Sequence, residues 1–256
     1  MANKRKIIVG NWKMNPLTKK EAIKLSDNIA KGLSGIKRTE IVVCPPSLFI
    51  DLLKKSSKKI IFGSQDAFYG ETGAFTGAIS SEMIYEIGAR YVIVGHSERR
   101  AMGEKEDEIN KKIKSALASG LSPILCVGEK ERDQEHGYFN FVKEEIEKGL
   151  EGISRNSISK VIIAYEPIWA ISSTPLRKDA TPEDSMEMAI FIRKIISDMF
   201  GKDAYHTRII YGGSVNTKNA GDFLSQGGVD GLLVGKTSLD AEKFLEIIKI
   251  CEALKK

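Results

Sequence analysis

Val161-Ile162-Ile163-Ala164-Tyr165-Glu166-Pro167-Ile168-Trp169-Ala170-Ile171 is the stretch on which the reading of the whole chain turns. Its first four residues are apolar and mostly β-branched, the composition of a strand buried on both faces. The run ends in a carboxylate, and Pro167 has no N–H with which to carry the ladder further. Glu166 therefore stands where a buried strand surfaces, on a rigid element at the lip of a cavity. A general base is held in this way. A lone glutamate there could merely end a strand, so the other strand ends have to be read with it.

The same pattern recurs on both sides. Upstream lie Ile7-Ile8-Val9, Ile41-Val42-Val43, Ile60-Ile61-Phe62, Tyr91-Val92-Ile93-Val94 and Pro123-Ile124-Leu125-Cys126-Val127; downstream lie Arg208-Ile209-Ile210-Tyr211 and Gly231-Leu232-Leu233-Val234. Helical patterns fill the intervals. Thr18 and Glu21 predict a capping box for a helix carrying Ala22, Ile23, Leu25 and Ile29. Further helices are expected through Leu48, Leu52 and Leu53, from Ser81 to Ile87, from Glu106 to Ala118 with a stop at Gly120, and near Phe141 to Leu150. Thr181-Pro182 predicts an N-cap followed by proline at the first helical position, and that helix ends before Gly201. Phe244, Leu245 and Ile248 mark a closing amphipathic helix. About eight strand–helix units in 256 residues predict an α/β protein, a single closed (β/α)8 barrel with eight parallel strands spanning residues 1–256. No linker rich in Pro, Gly or Ser divides it, and no strand–turn–helix carries the Gly-x-Gly-x-x-Gly of a doubly wound sheet.

Composition narrows the function. Hydrophobic residues at 42% and charged residues at 29% describe a soluble globular domain. No apolar run approaches the roughly 18 residues of a membrane span. The basic start Met1 to Lys6 has no apolar region behind it, so no signal peptide is expected and the cytoplasm is the expected compartment. Cys44, Cys126 and Cys251 have neither disulfide nor zinc spacing. The net charge of +5 is interspersed with glutamates, and no basic stripe alternates with aromatics. Neither nucleic acid nor a membrane is an expected partner.

The chemistry gathers at strand ends, which in a barrel share one face. Asn11 and Lys13 are alternate residues just past the first strand. His96 follows the fourth strand and precedes a cap-like turn at Ser97, where positive backbone dipoles would disfavour its protonation. His136 and His206 lie in polar surroundings without evident partners. Gly212-Gly213-Ser214 and Gly235-Lys236-Thr237 each run strand, glycine, hydroxyl, helix, an arrangement that points backbone N–H groups at an anion. Gly235-Lys236-Thr237 also imitates the end of a Walker A loop, but Asp230 stands where its first glycine belongs and strand residues leave no loop to wrap a triphosphate.

Six segments together resemble the triosephosphate isomerase family, in order from end to end: Asn11-Trp12-Lys13-Met14-Asn15, Val94-Gly95-His96-Ser97-Glu98-Arg99-Arg100, Leu125-Cys126-Val127-Gly128-Glu129, Tyr165-Glu166-Pro167-Ile168-Trp169-Ala170-Ile171, Tyr211-Gly212-Gly213-Ser214-Val215 and Asp230-Gly231. The resemblance implies a TIM barrel that interconverts dihydroxyacetone phosphate and glyceraldehyde 3-phosphate through an enediolate, without metal or organic cofactor, in glycolysis and gluconeogenesis. It implies Glu166 as the base, neutral His96 as the group that polarises the carbonyl, Lys13 as a positive charge and Asn11 as a hydrogen-bond donor. Glu98 looks like the carboxylate that orients Lys13, with Ser97 beside it in support. Ser172, Ser214, Gly235 and Lys236 would surround the phosphate. A homodimer, with a tetramer open, is implied by the loop carrying Phe68, Tyr69 and Phe75, which the family docks into a neighbour near Asn11 and Lys13.

Three places depart from the family pattern. Ser172 to Ala180 replaces a shorter lid with two glycines, Lys236 replaces the second of two glycines, and Ala78 replaces an acidic residue. If Ser172 or Lys236 had to take a positive φ, strain would follow. Two other classes compete: an inactive barrel serving as a binding or scaffold protein, and a glycosidase pairing Glu129 with Glu166.

Overall fold

Eight parallel strands close into a barrel in the order in which they occur in the chain. They are β1 (Ile7–Asn11), β2 (Glu40–Cys44), β3 (Ile60–Ser64), β4 (Tyr91–Val94), β5 (Ser122–Val127), β6 (Ile162–Tyr165), β7 (Arg208–Tyr211) and β8 (Gly231–Val234). The computed structural model describes residues 5–55, 58–171 and 178–254. The helices are α1 (Lys19–Lys31), α2 (Ile50–Leu53), α3 (Ser81–Glu86), α4 (Ser97–Ala101), α5 (Glu106–Ala118), α6 (Gly137–Gly149), α7 (Arg155–Ile158), α8 (Pro182–Phe200), α9 (Ala220–Gln226) and α10 (Ala241–Ala253).

Each strand serves two cores by its two-residue period. One set of side chains fills the barrel: Ile7 and Val9 from β1, Val42 and Cys44 from β2, Ile93 from β4, Ile162 and Ala164 from β6, and Leu233 from β8. The alternate set packs outward against the helices, among them Ile8, Val43, Val92, Ile163 and Tyr165. Both faces are therefore apolar, as the unbroken apolar runs predict.

Most helix signals act as read. Thr18 accepts from the Glu21 N–H and the Glu21 carboxylate accepts from the Thr18 N–H; Thr181 and Asp184 repeat the arrangement ahead of α8, with Pro182 as its first residue. Gly120 follows α5 at φ 86°. One helix presents a different face from the expected one. After β2 the chain makes a 3-10 turn, Ser47–Phe49, before the short α2. With that tighter turn the buried residues are Phe49, Ile50 and Leu53, and Leu48 and Leu52 are left exposed. Helix α6 also begins earlier than Phe141, because Asp133 accepts from the N–H groups of Gly137 and Tyr138 (2.8 and 3.1 Å). Among the described residues no helix is long and apolar enough to cross a membrane.

Candidate active site

Strand parity sets the walls of the site. On β1 the inward series Ile7, Val9 continues to Asn11 and Lys13, while Trp12, between them, is fully buried in the outer layer. On β6 the inward series Ile162, Ala164 continues to Glu166. Period two thus aims Asn11 and Glu166 at the barrel mouth, whereas Lys13, beyond the end of β1, reaches it by a backbone turn of its own. His96 reaches the same mouth differently. Gly95 takes φ 70°, and a Cβ there would press on Arg100 and Ile109 at 3.1 Å; the chain turns at once into α4.

His96 itself, and not Ser97, is the N-cap of α4. Its Nδ1 accepts from the Glu98 N–H at 3.1 Å. A ring nitrogen that accepts carries no proton, so the imidazole is held as the neutral tautomer with its proton on Nε2. Nε2 lies 3.4 Å from Oε1 of Glu166. The Glu166 carboxylate is 2% exposed, and its Oε2 accepts the Ser97 N–H at 3.5 Å. These contacts are long, so the carboxylate is positioned without being saturated. Room for it depends on Gly212, where a Cβ would stand 2.8 Å from the Glu166 Cγ.

Lys13 takes φ 52°, an uncommon backbone for a residue with a side chain. Several contacts hold it there. Its N–H donates to Asn11 Oδ1 (3.0 Å), its carbonyl accepts from Gln65 Nε2 (2.7 Å), and its Nζ is 2.6 Å from Glu98 Oε1. Because the Asn11 Oδ1 is engaged, the amide nitrogen is the end of that side chain left to donate. Gln65 also donates to the Cys44 carbonyl at 2.9 Å. Sequence reading did not single out Gln65, since its partners come from β1 and β2 and no local motif marks it.

A cavity of roughly 410 Å³ joins Asn11, Lys13, His96 and Glu166 to Ser214, Gly235 and Lys236. Ser172 lies outside the described residues. The Ser214 N–H donates to the Ala170 carbonyl (3.1 Å), and the Thr237 hydroxyl donates to the Val215 carbonyl (2.7 Å) and so ties the two glycine loops together. The expected helices do not follow those loops directly: Lys236–Leu239 is a 3-10 turn, and α9 begins only at Ala220. Among the described residues, Lys13 and His136 are the non-glycine residues at positive φ, so Lys236 sits without the strain that replacing a glycine could bring.

A second cavity of roughly 630 Å³ opens on the far side of Lys13 and His96, bordered by Met14, Gln65, Phe68 and Met102. Met14 and Met102 are 93% and 83% exposed. Phe68 stacks on Tyr69 and packs against Phe75, with ring centroids 4.4 and 4.7 Å apart.

The glycosidase pairing fails on geometry. Glu129 is 1% exposed, and its Oε1 accepts from Tyr165 and Trp169 (2.8 and 2.9 Å) in the outer layer, away from the cavity. Glu145 supports the same region by accepting the Gly128 N–H at 2.8 Å; burial pushes its carboxyl up to about 8 against the opposing pull of Arg100. Gly128 is needed there because a Cβ would lie 2.0 Å from the Glu166 carbonyl. Burial, then the charge of Glu166, pushes the Cys126 thiol well up, so it is no thiolate nucleophile. The remaining histidines do have partners: His136 Nδ1 is 3.1 Å from the Tyr138 hydroxyl, and His206 packs edge-on against Tyr205.

The family model described as triosephosphate isomerase matches residues 6–251. The triosephosphate isomerase of Aquifex aeolicus is 43% identical over 249 residues, covering 95% of this chain and 98% of that protein. That of Thermoanaerobacter sp. is 44% identical over 252 residues, covering 96% and 99%. The crystal structure of triosephosphate isomerase from Bartonella henselae superposes with a TM-score of 0.84 at 32% identity, covering 96% and 99% of the two chains.

Proposed function

The chain belongs to the triosephosphate isomerase family, and from that premise we propose how its active site divides the work. The reaction interconverts dihydroxyacetone phosphate and D-glyceraldehyde 3-phosphate, a step of glycolysis and gluconeogenesis. A carbonyl and a neighbouring alcohol exchange places with no net redox change, so proton transfers suffice. Glu166 takes a proton from the carbon beside the carbonyl and returns it to the adjacent carbon. The Nε2–H of His96 donates to the carbonyl oxygen as negative charge develops, and the ring then relays protons between the two oxygens. Lys13 and the Asn11 amide stabilise the enediolate oxygens electrostatically.

The phosphate lies at the opposite wall. Backbone N–H groups of the loops that carry Ser214, Gly235 and Lys236 take its oxygens. Clamping this unreactive end supplies binding energy that orients the reacting carbons. Glu98 holds Lys13 in place and Ser97 holds Glu166. The observation that carries this reading is the 3.4 Å approach of His96 Nε2 to Glu166 Oε1 on one wall of a cavity shared with Lys13. A coupled assay of glyceraldehyde 3-phosphate isomerisation tests it, and a folded protein without turnover would leave only a binding or scaffold role.

The enzyme works as at least a homodimer in the cytoplasm. The second cavity borders Lys13 and His96, and the exposed Met14 and Met102 at its rim are costly for a monomer. The Phe68–Phe75 loop of a second copy has the apolar character to fill it. Light scattering that found an active monomer at micromolar concentration would remove this part of the reading.

A further inference from the structure

We propose that Arg132 is a positioning residue for the reaction: acting through Glu129, it fixes the turn that carries Glu166. The inference rests on the reading of Glu166 as the base. Glu129 grips that turn at three points. Tyr165, immediately before Glu166, and Trp169, three residues after it, both donate to the same oxygen, Glu129 Oε1, at 2.8 and 2.9 Å. Between them, the Ile168 N–H donates to the Glu129 carbonyl at 2.9 Å.

That grip is made by a carboxylate in a place where an isolated charge is unfavourable. Glu129 is 1% exposed, and its Oε2 is buried without a hydrogen-bond partner. A carboxylate so placed keeps its charge only beside a cation. Among the described residues that cation is Arg132, whose Nε lies 3.2 Å from Oε1.

The guanidinium is itself locked by α8. Its Nη1 donates to Asp184 Oδ1 and Glu187 Oε2, both at 2.8 Å, and its Nη2 to the Asp184 carbonyl at 3.1 Å and the Tyr165 hydroxyl at 3.3 Å. Its central carbon, Cζ, lies over the rings of Tyr138 and Trp169, 5.0 and 5.6 Å from their centroids. Asp184 in turn accepts the Thr181 N–H at the start of α8 (2.8 Å). One planar fork thus joins the base-bearing turn to the first turn of a long helix. A lysine could supply the charge but not this set of directions.

A double-mutant cycle tests it: kcat, KM for glyceraldehyde 3-phosphate and melting temperature of Arg132→Met, Arg132→Lys, Glu129→Gln and Arg132→Met/Glu129→Gln, with Glu166→Gln alongside. Arg132→Met is expected to lower kcat by about 10- to 100-fold, the scale of a base displaced by a fraction of an ångström to an ångström. KM should change by less than about threefold, because the phosphate loops after β7 and β8 are untouched. With Glu129→Gln the buried charge is gone, so adding Arg132→Met should cost markedly less than it does alone. Arg132→Lys should fall between wild type and Arg132→Met; if Arg132→Met does not fold, the same coupling is read from Arg132→Lys with and without Glu129→Gln. Unchanged kcat with only a lower melting temperature, or losses that simply multiply in the double variant, would overturn the proposal. Full activity in Glu166→Gln would instead remove the assignment of the base, whereas an inactive Glu166→Gln beside a silent Arg132→Met removes the positioning role alone.

Discussion

At the N-terminal end of the barrel, Glu40, Tyr91 and Arg208 are the first residues of β2, β4 and β7. The Tyr91 hydroxyl contacts the Glu40 carboxylate, Arg208 Nη2 is 3.1 Å from that hydroxyl, and Arg208 Nη1 is 3.3 Å from Glu40 Oε2. Burial pushes the Tyr91 phenol up to about 12, against the pull of Arg208, so it stays protonated and keeps donating. At the C-terminal end, Lys13, His96 and Glu166 stand just past the ends of β1, β4 and β6. There the contacts to Glu166 are 3.4 and 3.5 Å long, and Lys13 is held at a positive φ. The two ends use a similar set of ionisable residues. At the floor the polar groups are spent on one another; at the mouth Lys13 is paired with Glu98, but His96 Nε2 and the Glu166 carboxylate meet only through long contacts, and that unspent capacity is what a reacting molecule can use.

The sharpest way to break this comparison is at Glu166. Glu166→Gln keeps the volume and should lower kcat by about 10²–10⁴-fold with the melting temperature nearly unchanged, as measured by steady-state kinetics and calorimetry. At His96 the expected loss for His96→Gln is somewhat smaller, on the order of 10²-fold, because a neutral donor remains. Nitrogen NMR of the wild-type ring should show Nδ1 unprotonated at neutral pH; a protonated Nδ1 would contradict the hydrogen bond from Glu98.

The floor should answer in the opposite currency. Arg208→Met is expected to destabilise the fold by about 1–3 kcal/mol in urea titrations, because it strips a partner from two partly buried groups, while kcat per folded molecule stays near wild type. A kcat loss comparable to that at His96 would end the separation between the two faces.

The smallest effect belongs at the rim of the fold. Glu252, near the end of α10, accepts from the N–H groups of Lys37, Arg38 and Thr39 and from the Thr39 hydroxyl. Burial opposes ionisation there, but these donors prevail and hold the carboxyl at about 2. A depressed folded value means stability that is fully present above the unfolded value near 4.5 and is lost as the pH falls toward 2. Glu252→Gln should flatten stability over that window and leave activity untouched.

The succession of strands and helices along the chain, the inward parity of Asn11 and Glu166, and the caps of α1 and α8 follow from local sequence, because period two and capping chemistry act over a few residues. The family was legible for the same reason: its motifs are short and sit in register at strand ends. The face of α2 was not, since a 3-10 first turn shifts the pattern, nor was His96 as its own helix cap. Gln65 and Arg132 carry no local signature, and the motifs that contain Thr237 and Glu129 do not show what those side chains hold. Glu129 and Arg132 are three residues apart, but the groups they hold, Tyr165, Trp169 and Asp184, like the partners of Gln65 and Thr237, come from other strand–helix units, so only closure of the barrel brings donor and acceptor together. What the sequence by itself determined is which residues face the mouth; the tertiary structure alone decided which of them are held, at what distance, and which stay available for chemistry, because hydrogen-bond geometry between distant segments exists only once the barrel has closed.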